Sequence, residues 1–381
     1  MSVYHQMGND SINLVFEPNL SVYKGAIISP VNATKAETLG HVERMRALSE
    51  FEVIFDPQLY YPRSDRGCLP TWDYFPEGAD TSDVASLEWW YAVADRLIDS
   101  MSEVQPNAIC SPASVPSVYP DEFFSHCVEV SNHLTARLAG SGVESVLTLI
   151  VKMSELSVAG RALAIASIAS RADCSRVYLV LEAEVDPRRE VSAEKNLMGA
   201  MKLIRAIEDS GMKVIVSFCS SDVLLWKHAG ATACATGKFF NLRRFTLKRF
   251  AETIAGGGQL PYWFEESLLA FIRQSDLIRI KPRGLLSDSS RRNPFLEPIF
   301  ECITSNKAWI GLSWRQFMWW FADVEARLSN GSTTARNLVD TADRSWAEVE
   351  TPPRIFFEER ANDGSWVRSW LRALEELPFF P

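Results

Sequence analysis

The feature that most constrains this chain is a recurring unit: a short, continuously apolar run, a polar or Pro-containing turn, then a helical stretch. The runs fall at 26–32 (AIISPVN), 51–63 (FEVIFDPQLYYPR), 107–116 (NAICSPASVP), 145–155 (SVLTLIVKMSE), 176–190 (RVYLVLEAEVDPRRE) and 213–222 (KVIVSFCSSD). Their cores are unbroken rather than alternating, the pattern of parallel strands buried on both faces. Amphipathic stretches at 85–101 and 194–211 lie between them, the second ending in Gly211, a suitable helix C-cap. Strand, crossover helix and strand in series are βαβ units, which coil right-handed.

A doubly wound sheet and a closed barrel both obey that rule. The repeat count and the polar residues placed after strand after strand favour the barrel, and no GxGxxG follows the first run. The expectation is therefore an α/β fold, a TIM-type (β/α)8 barrel over residues 1–250, with a further strand at 231–235 (ATACA) and a last one placed as far on as 277–281 (LIRIK). From 251 to 381 a mainly helical C-terminal extension is expected. There 256–276 reads as a loop and amphipathic helix, 305–331 as a Trp-rich helix, 332–353 as a helix and linker, and 362–381 as a short final helix.

Composition narrows the function classes. With 47% hydrophobic and 23% charged residues the chain can bury a large core. It holds no apolar run of the roughly 18 residues a bilayer span needs, and its start, MSVYHQMGNDS, lacks the basic and apolar regions of a signal peptide. The seven cysteines show no CxxC spacing, so neither a zinc site nor a disulfide framework is expected. A cytoplasmic protein without membrane contact, metal or cofactor is the resulting expectation. A net charge of −9 argues against sequence-blind nucleic-acid binding. The stretch Lys238–Arg292 nevertheless carries eleven basic and five acidic residues, the latter including Glu252. It is either a solvated face of ordinary ion pairs or a local anion site.

In a barrel, ligands bind where strands end, and that filter selects the candidates. Asp56 can cap its own turn or accept from a ligand N–H, with Gln58 nearby, Tyr60 stacking and Arg63 on an anion. Trp72, Tyr74 and Phe75 can stack a ring or seal the mouth. Ser111 ends the third run. Lys152 can form a Schiff base or pair with Glu155 or Glu182. Glu182, Glu184 and Asp186 alternate, so on one strand face they would serve as acids, bases or metal ligands, or meet Arg188 and Arg189. Thr232, Cys234 and Thr236 also alternate, with Lys238 the nearest cation to lower the Cys234 thiol pKa; a small buried thiol is the plainer reading.

The stretch 216–245, VSFCSSDVLLWKHAGATACATGKFFNLRRF, resembles the late-barrel region of tRNA-guanine transglycosylase-like proteins. Ser220-Ser221-Asp222, Leu224-Leu225 and Gly230 keep that layout, and the resemblance covers about residues 20–245. It implies a pocket for a guanine or 7-deazaguanine base, free or conjugated to nucleic acid or protein, with Asp56, Glu184 and Asp186 as catalytic or base-contacting carboxylates. Arg243 and Arg244 would contact phosphate. Divergent barrels of this kind resemble accessory proteins of antiviral operons, including type IV CBASS. Thr232 and Ala235 stand where the family has aspartates, Ala235 at the nucleophile, so base exchange through a covalent aspartate at that place is not expected. Two other classes stay open: an inert binding or assembly subunit that meets a protein partner through the Trp-rich region, and a lyase or aldolase built on Lys152.

Overall fold

The computed structural model describes residues 2–251, 260–359 and 362–377. Eight parallel strands close into a barrel in simple sequential order. They are β1 (Val3–Gln6), β2 (Gly25–Ile28), β3 (Glu52–Phe55), β4 (Ala108–Cys110), β5 (Glu144–Lys152), β6 (Arg176–Glu182), β7 (Lys213–Val216) and β8 (Ala233–Thr236). The six runs singled out in the sequence supply β2 to β7, and 231–235 supplies β8. The strand missing from that reading is β1, which closes the barrel by pairing with both β2 and β8, His5 lying opposite Thr236. The expected strand at 277–281 does not form: Gln274–Ile280 is a helix, because the Asp276 carboxylate accepts the Arg273 N–H and caps its first turn.

Of the stretch read as loop and amphipathic helix, 256–259 lie outside the described residues, and 263–272 forms an antiparallel hairpin, β9 (Trp263–Glu265) with β10 (Ala270–Ile272). Its turn is held by tertiary partners. The Glu265 carboxylate accepts from Trp263 Nε1 at 3.0 Å and from the N–H groups of Ser267 and Ser287, and Trp320 Nε1 donates to Glu266 at 2.8 Å. The later helices, Ile310–Ser329, Ala335–Glu350 and Ser365–Glu376, lie where the sequence places them. Among the described residues no helix is long and apolar enough to cross a membrane.

The helical extension is tied to the barrel near its seam. Buried Glu325, on the 310–329 helix, takes Ser2 N just before β1 and Lys227 Nζ, 3.2 Å away, just before β8. Tyr23 donates to Met318 O, Arg315 pairs with Glu17, and Trp370 Nε1 donates to Val191 O.

Outside the barrel, the helix Glu194–Asp209 packs on the turn Glu155–Ser157 through Gly199, where an added Cβ would stand 2.0 Å from Leu156 O. Gly199→Ala should therefore destabilise the protein, although alanine is the better helix former by about 1 kcal/mol. Backbone cannot yield as a side chain does, so a net loss of about 2–3 kcal/mol is expected in a urea-unfolding midpoint. A neutral or stabilising result would show that the helix is free to move outward.

Candidate functional site at the barrel mouth

Strand alternation turns Glu52, Ile54 and Asp56 inward and Phe55 outward. The N-terminal end of the interior is closed by charge: Arg176 pairs with Glu52 at 2.6 Å and Glu144 at 2.7 Å, and Tyr4 donates to Glu52. Above this, at the C-terminal ends of the strands, stands Asp56, buried with 1% exposure.

Asp56 Oδ1 accepts the Gln58 N–H at 3.0 Å, an Asx turn at the strand end. Oδ2 faces Tyr60 Oη at 2.8 Å and Tyr178 Oη at 3.2 Å, and the Tyr178 hydroxyl also lies 3.0 Å from Gln6 Oε1. One phenolic proton cannot serve both acceptors fully. Burial outweighs these donors and pushes the Asp56 carboxyl up to about 6. The backbone is strained here: Gln58 and Phe218 hold φ of 53°, a left-handed conformation uncommon outside glycine, and both are buried. Gln58 is anchored by Ser29, whose hydroxyl donates to its Oε1 at 2.7 Å.

The chain after β8 crosses this mouth. Phe245 forms a backbone bridge with Glu182 at the end of β6. Phe245 and Phe250 each meet the Tyr60 ring edge-on with centroids 5.1 Å apart, and Phe218 packs on Phe245. Arg249 comes in with them, its guanidinium near the Phe218 and Phe250 rings, and burial pulls its pKa down to about 10 although Asp56 and the two tyrosines oppose the shift. Arg249 Nη1 and Gln6 Nε2 are buried without a hydrogen-bond partner among the described residues.

The other candidates make contacts of their own. Strand β6 ends at Glu182, so the one-face alternation expected for Glu182, Glu184 and Asp186 does not extend past it. Glu182 accepts from Tyr119 Oη at 2.7 Å, exposed Glu184 pairs with Lys152 at 2.7 Å, and Asp186 turns back to accept the Arg188 N–H. That Glu184 contact raises the Lys152 pKa and lowers that of Glu184. Ser111 couples strands, accepting from Thr148 N and taking the Thr148 hydroxyl on its carbonyl. Arg63 is exposed and donates to Thr81. Trp72 and Tyr74 pack against Phe55 on the outer face of β3 and donate to the carbonyls of Ala33 and Pro57.

Much of the basic stretch is internally satisfied. Arg244, 3% exposed, spans Asp222 at 3.0 Å and Glu190 at 2.7 Å, and Ser221 donates to Glu190. Arg243 donates to the carbonyls of Gly237 and Lys238 with its guanidinium 3.8 Å from the Phe317 ring centroid, and burial lowers its pKa to about 9. Lys238 lies over Phe239 and Trp314. Cys234 is fully buried on β8. Glu252 lies outside the described residues. In the Trp-rich extension, Trp309, Trp320, Trp346, Trp366 and Trp370 are buried, while Trp314 and Trp319 are half-buried. No group of three His, Cys, Asp or Glu among the described residues is placed to hold a metal ion.

Together these features define a closed (β/α)8 barrel with a polar, strained centre at its C-terminal mouth. No protein-family model and no curated protein matches the chain. Solved structures of similar fold include deoxyribose phosphate aldolase from Aeropyrum pernix, 17% identical with TM-score 0.36 over 62% of this chain and 83% of that one. Dihydrodipicolinate synthase from Oceanobacillus iheyensis is 12% identical with TM-score 0.35, over 99% of this chain and 96% of that one. Type I 3-dehydroquinate dehydratase from Clostridium difficile is 10% identical with TM-score 0.35, over 65% and 88%.

Proposed function

We propose that the mouth around Asp56 binds a planar heterocycle of the guanine or 7-deazaguanine kind, as the free base or at the end of a nucleic-acid or protein conjugate. The observation that carries this is the mismatch of buried groups: a carboxyl raised to about 6 beside two donors, Arg249 Nη1 and Gln6 Nε2, that lack acceptors. Buried polar groups left unpaired cost roughly 1–3 kcal/mol each, so the fold carries strain that a ligand relieves. The complement is an edge with a carbonyl acceptor beside N–H donors, which a guanine lactam supplies. Asp56 takes the N–H groups, Arg249 or Gln6 the carbonyl, and the rings of Phe218, Phe245 and Phe250 the flat faces. Admitting the base requires Phe245 and Phe250 to move off Tyr60. Asp56 is then also the group able to exchange a proton with the ligand near neutral pH.

Calorimetric titration with guanine and with a 7-deazaguanine tests this. Saturable binding to the wild type, weakened by about tenfold or more in Asp56→Asn, is expected, since an amide cannot accept two N–H donors as a carboxylate does. Equal binding by the two proteins, or none by the wild type, would remove the proposal. A lyase or aldolase reading draws on a different observation: Lys152 ends β5 opposite Glu182, with Glu184 on its amine. Borohydride trapping of a carbonyl compound on Lys152, lost in Lys152→Met, is its signature.

A further inference from the structure

Between the turn after β6 and the C-terminal extension lies a groove of two lobes, with cavity volumes of about 160 and 210 Å³. Both lobes are lined by Arg188, Arg189, Phe271 and Asn362. The volumes together fall at the lower end of the roughly 300–1,000 Å³ of small-molecule sites. The two arginines are exposed, and neither has a carboxylate within ion-pair distance among the described residues, unlike Arg244 and Arg273 beside them.

The smaller lobe ends on the helix Ser365–Glu376, whose N-cap is Gly364. That position has φ of 71°, and a Cβ there would meet the Trp346 ring at 2.5 Å, so glycine is required and no side chain of the N-cap can cap the turn. The first turn is capped instead from the residue before, the Asp363 carboxylate accepting from Ser365 N. Trp366, in its first turn and 5% exposed, lines the same lobe, and its indole N–H has no partner. Two guanidinium groups without carboxylate partners at one concave lobe are an arrangement for an anion. The carboxylates present are accounted for. Asp363 accepts from Ser365 N and Asp186 from Arg188 N, while Glu190 and Glu359 are paired with Arg244 and Arg273. The larger lobe is walled by Phe240, Tyr262 and Phe271, with Phe240 and Tyr262 edge-to-face at 5.2 Å.

We infer that this groove binds a phosphomonoester carried on a planar ring, such as a nucleoside monophosphate. The phosphate lies in the smaller lobe against Arg188 and Arg189, next to the Trp366 side chain, and the ring lies among the aromatic side chains of the larger one. This site is separate from the Asp56 mouth and does not rest on the reading given to it.

The probes are adenosine monophosphate, adenosine and inorganic phosphate, titrated calorimetrically and by NMR of the tryptophan indole N–H signals, with the Trp366 signal identified from Trp366→Phe. The monophosphate should bind at least about tenfold tighter than either adenosine or phosphate alone, and its addition should shift the Trp366 signal. Arg188→Ala/Arg189→Ala should weaken it by about tenfold or more with an unchanged thermal midpoint, because both side chains are exposed and unpaired. Asp56→Asn should bind it as the wild type does. Adenosine binding as well as its monophosphate, phosphate alone binding equally well, no binding at all, an indifferent double arginine variant, or loss in Asp56→Asn would each overturn the assignment.

Discussion

Replacing Arg244 by alanine is expected to destabilise the protein by about 3–5 kcal/mol, the cost of leaving buried charge without its partner. Arg244 spans Asp222 and Glu190, and all three side chains are at most 6% exposed. Burial already raises the pKa of both carboxyls, and the guanidinium is what opposes it. Without Arg244 two carboxylates face each other in a dry site. The loss should shrink as the carboxyls take up protons, so denaturant midpoints should show a smaller effect near about pH 5 than near about pH 8. Removing all three charges, by Arg244→Met with Asp222→Asn and Glu190→Gln, should recover much of the stability, since the desolvation cost goes with the charges. An Arg244→Ala loss below about 1 kcal/mol near pH 8 would mean that water reaches the cluster and that it does not hold the turn after β7.

The second large effect concerns Asp56 and pH. Its carboxyl is raised from 3.8 to about 6 in the folded protein, burial being the main cause. Between these values the folded state keeps a proton that the unfolded chain has lost. The Asp56 contribution to stability is therefore full below about pH 4 and lost as pH rises to about 6, by about 3 kcal/mol in all. Carboxylates whose pKa is lowered, such as Glu184, act in the opposite sense and can mask it in the wild type alone. The difference in unfolding free energy between wild type and Asp56→Asn isolates it. That difference should fall by about 3 kcal/mol from about pH 4 to about pH 7; a flat difference would show that Asp56 titrates as an ordinary exposed acid.

The parallel strands that could be read directly are those whose burial needs no help from polar partners. Ile27, Ile54, Val146 to Val151, Val177 to Leu181 and Val214 to Val216 announce themselves as apolar runs. Strand β1 does not, because VYHQ is half polar. Gln6 is admitted to the interior by Tyr178, a residue 172 positions away, and no local pattern reports that. The hairpin at 263–272 was hidden for a related reason. Its adjacent Glu265 and Glu266 look like a solvent-facing helix turn, and their burial is made tolerable by Trp263, Ser267, Ser287, Trp320 and Arg327. Of the proposed mouth, Asp56, Gln58 and Tyr60 were visible because an Asp-Pro turn ends a strand. Tyr178 lies inside an apolar run and Arg249 beyond the last strand, so neither met the strand-end filter. Arg244 met the expectation of an anion contact only by its sequence neighbours; its anions prove to be Asp222 and Glu190 of this same chain.

The position of Glu325 has a consequence for how the barrel holds its shape. Every closed ring of strands has one join between chain beginning and ring end, and here the joining strands are four residues each. Strands this short are a natural place for fraying, since few ladder hydrogen bonds hold them. Glu325 reaches Ser2 on one side of that join and Lys227 on the other, with no exposed surface of its own. The 310–329 helix thus works as a splint across the hoop. The residues beyond 250 act less as an appendage to a finished barrel than as the clasp that keeps it shut.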